Sequence, residues 1–88
     1  MKPPSILLKA EALVNGDRQS AYGPVAEDFG RAAEIFFLLS GVRLTVPQFL
    51  QAMQAVKLSR ERYCPKEDNR LDLCGYTELL NQVREGAK

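Results

Sequence analysis

The sequence lacks histidine and tryptophan and has two cysteines, Cys64 and Cys74. Histidine is the commonest metal ligand and the commonest general base, so its absence removes the most frequent forms of metal binding and acid–base catalysis. The two cysteines lie ten residues apart and no CxxC motif accompanies them. This spacing argues against a zinc site, and we expect two reduced thiols.

The sequence also lacks an excess of charge of either sign. Twelve basic and eleven acidic residues give a net charge of +1, which provides no domain-wide attraction to duplex nucleic acid or to an anionic membrane. Residues 1–4 lead directly into an amphipathic segment without the pattern of a signal peptide. The longest apolar run, residues 35–39, is far too short to span a bilayer. We therefore expect a cytoplasmic protein whose anion binding, if any, is local.

Several signatures of enzymes are missing as well. The chain has no P-loop, GxGxxG motif, nucleophile elbow or HExxH motif, which argues against the common forms of nucleotide, acyl-transfer and zinc-peptidase chemistry. Its 88 residues make a single domain, residues 1–88. A chain of this size buries only about 60–65% of its unfolded surface. A lone monomer should therefore be marginally stable.

The spacing of apolar residues predicts four helices, and no segment alternates for long enough to predict a strand. Ser5 can cap a first helix that ends at Asn15 and Gly16. The polar stretch that follows, residues 16–24, is predicted to be an ordered loop. The fold class is therefore predicted to be all-α, a compact helical bundle.

The remaining three helices have clear start and stop signals. Pro24 suits the first turn of the second helix, and Ser40 and Gly41 end it. A capping-box pattern at Thr45 starts the third, which should end near Tyr63. Residues 64–69 form the turn to the fourth. Because residues 35–39 are apolar on every side of the second helix, we expect a homo-oligomer in which a partner chain covers them.

Two charged residues occupy positions where a helix should be apolar. Lys57 extends the apolar stripe of the third helix, and Asp72 extends that of the fourth. We expect them to pair with each other, with an ion or with a ligand, because an unpaired charge at the edge of a core is costly. Arg60 shares a helix face with Lys57, and the two could grip a phosphate. Alternatively, Arg60 lies with Glu61 on a solvated helix face, which is the preferred assignment for Glu61, and Lys57 snorkels.

Asp68 and Asp72 lie four residues apart, so both could project from one helix face and hold a magnesium ion that bridges to a phosphate. Alternatively, Asp68 or Asn69 is only the helix cap and Asp72 pairs with Lys57. Gly75, within the same helix, predicts the close approach of another helix or of a ligand, with helix packing preferred.

The polar stretch before the second helix supplies two further candidates. Tyr22 could stack on a base or contact a sugar, and Arg18 could reach a phosphate from the same segment. Tyr22 could equally be a packing anchor. Glu27 and Asp28 are assigned a structural role near the positive end of the helix dipole.

These residues stand in an order that resembles a known group of proteins. The motifs are VNGDRQ at residues 14–19, YGP at 22–24, EDF at 27–29 with Arg31, then Lys57, Arg60, Asp68 and DLCGY at 72–76. Over residues 13–80 the chain resembles small phage-encoded and prophage-encoded proteins. Those are similar in turn to nucleotide-modification-associated domains and, more distantly, to all-α nucleoside triphosphate pyrophosphohydrolases of the MazG type. The resemblance implies a nucleotide ligand and a bacterial host cell.

The chain departs from the metal-binding pattern of the MazG-type enzymes. These enzymes hold magnesium with an ExxE pair on one helix and an ExxD pair on the next. Here Glu27 is followed three residues on by Gly30, and Asp28 by Arg31. Phosphoryl chemistry depends on firmly held metal that neutralises charge. The resemblance therefore supports nucleotide binding better than hydrolysis, and no catalytic residue is assigned.

We therefore expect a protein that binds a nucleotide or nucleotide-derived phosphate ligand and could act by sequestering it without turnover. Its candidate ligand-binding residues are Arg18, Tyr22, Lys57, Arg60, Asp72 and Tyr76, and its candidate magnesium ligands are Asp68 and Asp72. One alternative is a magnesium-dependent nucleotide pyrophosphohydrolase or nucleotide-pool enzyme that also uses Glu27. Another is a protein-interaction module that contacts a host protein through Phe36, Phe37, Leu38 and Leu39.

Overall fold

The computed structural model describes residues 3–86, and the described part of the chain contains helices and no strand. Residues 1–2 and 87–88, at the two ends of the predicted domain, lie outside it. The elements are α1 (Ile6–Leu13), a π-helical segment (Val14–Arg18), α2 (Gln19–Tyr22), α3 (Val25–Ser40), α4 (Val46–Tyr63) and α5 (Glu67–Gly86). The predicted all-α bundle is confirmed. Over residues 3–86, no helix combines the length and the apolar character that crossing a membrane requires.

The first three elements form one continuous helix, the N-terminal rod, which runs further than the sequence predicted. The predicted stop at Asn15 and Gly16, and the loop after them, are wrong because the chain stays helical to Tyr22. The π-helical segment carries both residues, and the Gln82 amide on α5 donates to Asn15 Oδ1 at 3.0 Å. The rod ends at Gly23, whose φ of 80° is open to glycine because it has no Cβ.

The boundaries of α3 agree with the sequence to within one residue. Pro24 was predicted to lie inside the first turn, but it is the cap, and the helix begins at Val25. At the other end Gly41 adopts a left-handed conformation with a φ of 76°, and its N–H donates to the Phe37 carbonyl. This is the predicted glycine stop.

The capping box at the start of α4 is confirmed. The Gln48 N–H donates to Thr45 Oγ1 at 3.2 Å, and the Thr45 N–H donates to Gln48 Oε1 at 2.9 Å. The helix ends at Tyr63, as predicted. The next helix starts at Glu67, so Asp68 lies in its first turn and not in the connecting turn to which the sequence assigned it.

A hydrogen-bond network centred on Glu61 holds the turn between α4 and α5. Glu61 accepts from the Lys66 N–H at 2.9 Å, the Asn69 amide at 3.3 Å and the Arg70 guanidinium at 2.6 Å. The Lys66 bond, followed by that of Arg70, lowers the pKa of Glu61. Asn69 is buried and also donates to the Cys64 carbonyl. The sequence treated Glu61 as part of a solvated face, which is wrong because its oxygens satisfy the start of the next helix.

The core lies where α5 packs against α4 and against the N-terminal rod. Its buried members are Val14, Val25, Leu50 and Leu79, and the partly buried side chains around them are Phe29, Val46, Tyr76, Leu80 and Val83. Leu50 is the largest fully buried side chain among the described residues. The N-terminal rod, α3, α4 and α5 each contribute at least one residue to this cluster. All parts of the bundle therefore pack on one core.

The C-terminal half of α3 leaves apolar side chains on the surface. Leu38 is 74% exposed and Leu39 is 83% exposed, and Ile35 and Val42 are exposed beside them. Ile35, Leu38 and Leu39 are spaced i, i+3 and i+4, which is the spacing of one helix face, and Val42 follows shortly after α3 ends at Ser40. We refer to Ile35, Leu38, Leu39 and Val42 as the apolar stripe.

The two phenylalanines between these residues are more sheltered. Phe36 packs edge-on against Phe49 of α4, with ring centroids 6.1 Å apart. The Arg43 guanidinium carbon lies 3.9 Å from the centroid of the Phe37 ring. Arg43 also pairs with Glu34 at 2.8 Å. Both phenylalanines therefore contribute to the fold, and less of them is available to a partner than the sequence suggested.

Candidate functional site

A cleft of about 370 Å³ lies between the N-terminal rod and α5, beside the start of α3. We call it the site cleft. Its apolar walls are formed by Ala10, Leu13, Val14, Phe29, Leu71, Gly75 and Leu79, and its polar groups are Arg18, Tyr22, Asp28, Asp72 and Tyr76. A mostly apolar cleft with a few convergent polar groups is typical of small-molecule sites, which measure about 300–1,000 Å³.

The fold brings predicted ligand-binding residues from two distant segments into this cleft. Four of the six candidates line it, namely Arg18, Tyr22, Asp72 and Tyr76. Lys57 and Arg60 lie outside the lining. Lys57 is bonded to Asp72, and the positive charge of Arg60 acts on the Tyr76 phenol. Lys57 therefore joins the cleft through its bond to Asp72, and Arg60 is an exposed residue within electrostatic range of Tyr76.

Arg18 is held in a fixed position at the cleft. Its side chain is only 13% exposed. Its guanidinium donates to Asp28 Oδ2 at 2.6 Å and to the Gly23 carbonyl at 3.2 Å, and lies 5.3 Å from the centroid of the Phe29 ring. A guanidinium carries more N–H donors than these two bonds use. Arg18 therefore has N–H donors left over after these two bonds.

Asp28 and Phe29 are site residues that the sequence analysis missed. Asp28 was assigned to the helix dipole, but its carboxylate is the partner that orients Arg18. Phe29 forms part of the cleft wall and contacts the Tyr76 ring edge-on, with centroids 6.3 Å apart. The available signal was the EDF motif in the resemblance. Periodicity alone could not reveal which side chain Asp28 meets across the Gly23 turn.

The π-helical segment positions Arg18. Val14 at its start packs in the core, whereas Arg18 at its end faces the cleft. A π-helical turn is wider than an α-helical one, and such turns occur frequently at functional sites. The loop that the sequence predicted would have left Arg18 without this support.

Lys57 and Asp72 form an ion pair, which is one of the outcomes predicted from their positions in line with the apolar residues of the third and fourth predicted helices. Lys57 Nζ lies 2.7 Å from Asp72 Oδ2, and the side chains are 15% and 41% exposed. Asp72 faces the cleft and Lys57 is shielded behind it. The pair fixes the direction of the carboxylate and compensates its charge at the cleft wall.

Tyr76 is half-buried in the wall next to this pair. Burial raises the pKa of its phenol, and the Asp72 charge acts in the same direction, while Lys57 and two arginines oppose them. The hydroxyl is therefore neutral at physiological pH and can both donate and accept a hydrogen bond. Tyr22 lies at the rim with 60% of its surface exposed, so its ring face is accessible.

Gly75 marks the point where α5 passes the π-helical segment. A Cβ atom added there would lie 3.6 Å from Val14 Cγ2, which is an ordinary van der Waals contact. The predicted close approach of a second helix is therefore present, and alanine would fit. Gly75 and Val14 both line the site cleft, so the methyl group would be added at the cleft wall.

The carboxylates do not build a magnesium centre from protein groups alone. Asp68 is exposed in the first turn of α5, and Asp72 is engaged with Lys57. Within residues 3–86, no three or more cysteine, aspartate or glutamate side chains converge on a common point. Magnesium needs near-octahedral oxygen ligation. A magnesium ion at this site would therefore depend on oxygens from the ligand and from water.

Comparison with known proteins gives a family and no further relatives. Neither the curated proteins nor the solved structures include a significant match to this chain. A family model described as a domain of unknown function, DUF6378, matches residues 5–84. That range includes the N-terminal rod, α3, α4, α5 as far as Arg84 and every residue of the site cleft. The chain belongs to the DUF6378 family.

Proposed function

We propose that the site cleft binds a nucleotide or a nucleotide-derived phosphate ligand. The observation that carries this proposal is the convergence of Arg18, Tyr22, Asp72 and Tyr76 on one mostly apolar cleft of about 370 Å³. Aromatic rings, a fixed guanidinium and a neutral phenol are the groups that recognise a base, a phosphate and a sugar hydroxyl respectively. The resemblance to nucleotide-modification-associated domains points to the same ligand class.

Each group has a role that its geometry supports. Arg18 presents its remaining N–H donors to the phosphate, and the exposed ring of Tyr22 stacks on the base. The Tyr76 hydroxyl bonds to the sugar. Lys57 and Arg60 provide positive potential near the wall, and Asp72 keeps Lys57 in place.

Sequestration of the ligand without turnover suits this site better than catalysis. The acidic pair needed for metal-dependent hydrolysis is incomplete, since Asp68 is exposed and Asp72 is paired with a lysine. In the alternative function, a magnesium-dependent nucleotide pyrophosphohydrolase or nucleotide-pool enzyme, the ligand phosphates would supply the missing metal ligands. The enzyme would release phosphate or pyrophosphate from the ligand, whereas a sequestering protein would release neither.

Thermal unfolding against a panel of mono-, di-, tri- and cyclic nucleotides, with and without magnesium, tests the proposal. A ligand at 100 times its Kd stabilises the native state by about 2.7 kcal/mol, which raises the Tm of a domain of this size by about 10–20 °C. Tyr22→Ala should abolish the shift. Tyr63→Ala is the matched control, because Tyr63 is a tyrosine 93% exposed at the end of α4 and outside the cleft.

The outcomes separate the alternatives. A shift lost in Tyr22→Ala and kept in Tyr63→Ala supports binding in the site cleft. Release of phosphate or pyrophosphate that requires magnesium supports the enzyme. The absence of a shift with every nucleotide contradicts nucleotide binding.

The apolar stripe favours a second proposal, which concerns assembly. We propose that a second copy of the chain covers it, so that the α3 helices of two protomers pack against each other. Its three helical residues, Ile35, Leu38 and Leu39, have the i, i+3, i+4 spacing of a helix-packing seam, and a two-fold axis makes such a seam self-complementary. A domain with this few buried side chains also gains stability from additional burial.

Sedimentation velocity over a range of concentrations tests the assembly. The wild type should sediment as a dimer or a higher oligomer, and Leu39→Glu should sediment as a monomer. Leu8→Glu is the control, because Leu8 is an exposed leucine on α1, outside the stripe. A wild type that is monomeric at all concentrations contradicts the homo-oligomer, and a host protein then becomes the alternative occupant of the surface.

A further inference from the structure

The two shielded cations of the site cleft, Arg18 in its lining and Lys57 beside Asp72, are each neutralised by their own carboxylate. Arg18 pairs with Asp28 at 2.6 Å, and Lys57 pairs with Asp72 at 2.7 Å. Both basic side chains are well shielded, with 13% and 15% of their surfaces exposed. The charge of the wall is therefore balanced before any ligand arrives.

This balance determines which ligands the cleft can hold. A nucleoside triphosphate brings several negative charges, and binding it requires unpaired cations or a bound metal ion. In the site cleft the negative charges of the ligand would come as close to the Asp28 and Asp72 carboxylates as they come to Arg18 and Lys57. Repulsion by the carboxylates would cancel most of the attraction, because the charges in each pair are a few ångströms apart.

Two further cations lie at the edge of this neighbourhood. Arg31 is 4.0 Å from Asp28 and donates to the Tyr22 carbonyl at 3.3 Å. The charge of Arg60 reaches the Tyr76 phenol. Both side chains belong to exposed residues, where solvent screens their charge. They provide moderate attraction for one phosphate group, and much less than a triphosphate needs.

We infer that the site cleft selects a ring-containing ligand of low net charge, a nucleoside or its 5′-monophosphate, over the corresponding triphosphate. The inference rests on the proposed nucleotide binding and makes it more specific. The apolar wall would contact the ring, and the balanced ion pairs would orient the ligand through hydrogen bonds. Recognition would then depend little on the ionic strength.

Isothermal titration calorimetry with adenosine, AMP and ATP, and with the guanine, cytosine and uracil series, tests the inference in buffer without divalent cations. For the base that binds best, the nucleoside and the monophosphate should bind within about tenfold of each other. The triphosphate should bind no more tightly than the monophosphate. Raising the salt from 50 to 300 mM should change the affinity of the monophosphate less than about threefold.

Variants that remove the balancing carboxylates strengthen the test. Asp72→Asn and Asp28→Asn unmask Lys57 and Arg18, and each should raise the ratio of triphosphate affinity to nucleoside affinity about tenfold. Glu78→Gln is the matched control. Glu78 is a carboxylate on α5 that lines a different cleft and accepts from Gln82. Glu78→Gln changes the net charge by the same amount as the two aspartate variants. It should leave the affinity for the triphosphate relative to the nucleoside unchanged.

The outcomes distinguish the failure of this inference from the failure of the proposed function. A triphosphate that binds the wild type more than tenfold more tightly than the monophosphate, with strong salt dependence, overturns the low-charge preference and leaves nucleotide binding intact. An equal gain in triphosphate affinity from Glu78→Gln also overturns it, because the effect would then follow net charge. The absence of binding by every compound overturns the proposed function and the inference together.

Discussion

The two halves of α3 differ in what their apolar residues contact. In the N-terminal half, Val25 is buried in the core, and Phe29 packs against the core and lines the site cleft. In the C-terminal half, Ile35, Leu38 and Leu39 are exposed. The second half is the more continuously apolar of the two in sequence. Hydrophobicity therefore does not determine which half is buried.

The neighbours of each half explain the difference. The first half lies against the N-terminal rod and α5, and both supply facing side chains. Beyond Phe36, which reaches Phe49, the outer side of the helix has no facing helix among the described residues. The first half thus forms part of the site cleft. The second half has the composition of an interface, and no helix of residues 3–86 covers it.

The largest predicted effect comes from deleting a ring in the first half. Phe29→Ala should lower the free energy of unfolding by about 2–4 kcal/mol, because Phe29 contacts the rings of Phe49 and Tyr76 and packs against the core. Leu39→Ala in the second half should change it by less than about 0.5 kcal/mol in dilute solution. Urea unfolding measures both values. Equal losses would contradict the distinction between the two halves.

Removing the ion pair of the first half should also lower the free energy of unfolding more than removing the ion pair of the second half. Asp28→Asn weakens a shielded bond to Arg18 and should cost about 1–2 kcal/mol. Glu34→Gln removes the pair with Arg43, which is exposed on both sides, and should leave stability unchanged within error. Urea unfolding of both variants at low and high salt checks this. A larger loss from Glu34→Gln would show that the second half is more ordered by its charges than the contacts indicate.

Two glycines allow stability to be separated from the function of the cleft. Gly75→Ala should stabilise the fold by up to about 1 kcal/mol, because its methyl group meets Val14 at an ordinary contact distance. It should also weaken ligand binding by narrowing the cleft. Gly30→Ala in α3 has open space around its Cβ position and should give a similar gain in stability without affecting binding. Unfolding and calorimetry on both variants test this, and undiminished binding in Gly75→Ala would contradict the placement of the ligand.

The smallest predicted effect concerns pH. Burial raises the pKa of Tyr76 above the ordinary 10.0. The unfolded chain therefore loses this proton before the folded chain does as the pH rises. The contribution of the neutral phenol to stability is complete below pH 10 and is lost as the pH rises through the folded pKa. Ultraviolet titration should show one tyrosine that ionises late in the wild type and no such tyrosine in Tyr76→Phe. A wild type without a late-ionising tyrosine would contradict the burial of Tyr76.

Local signals in the sequence were enough to predict the helices. The capping box at Thr45, the stop at Gly41 and the end at Tyr63 were found because each depends on residues close together in the chain. The same kind of reasoning failed at Asn15 and Gly16. Their turn-forming preference is overridden by the packing of Val14 and by a bond from α5, neither of which is visible locally.

The candidate site was predicted in part for the same physical reason. The pairing of Lys57 with Asp72 could be predicted from sequence because each charge stands at a helix position where an apolar residue is expected. The structure confirms the bond. Asp28 and Glu61 were misassigned because their partners lie across a turn or on another helix. Nothing in the periodicity of a helix indicates which side chain will meet it from outside.

Chemical-shift mapping of the ¹⁵N-labelled protein with a nucleoside monophosphate tests the central claim most directly. If the ligand occupies the site cleft, the perturbed amides will cluster at residues 18–22 and 72–76, at Asp28 and Phe29, and will saturate together. Leu38 and Leu39 will stay unchanged. Perturbations confined to the apolar stripe, or none for any base at millimolar concentration, would contradict the account.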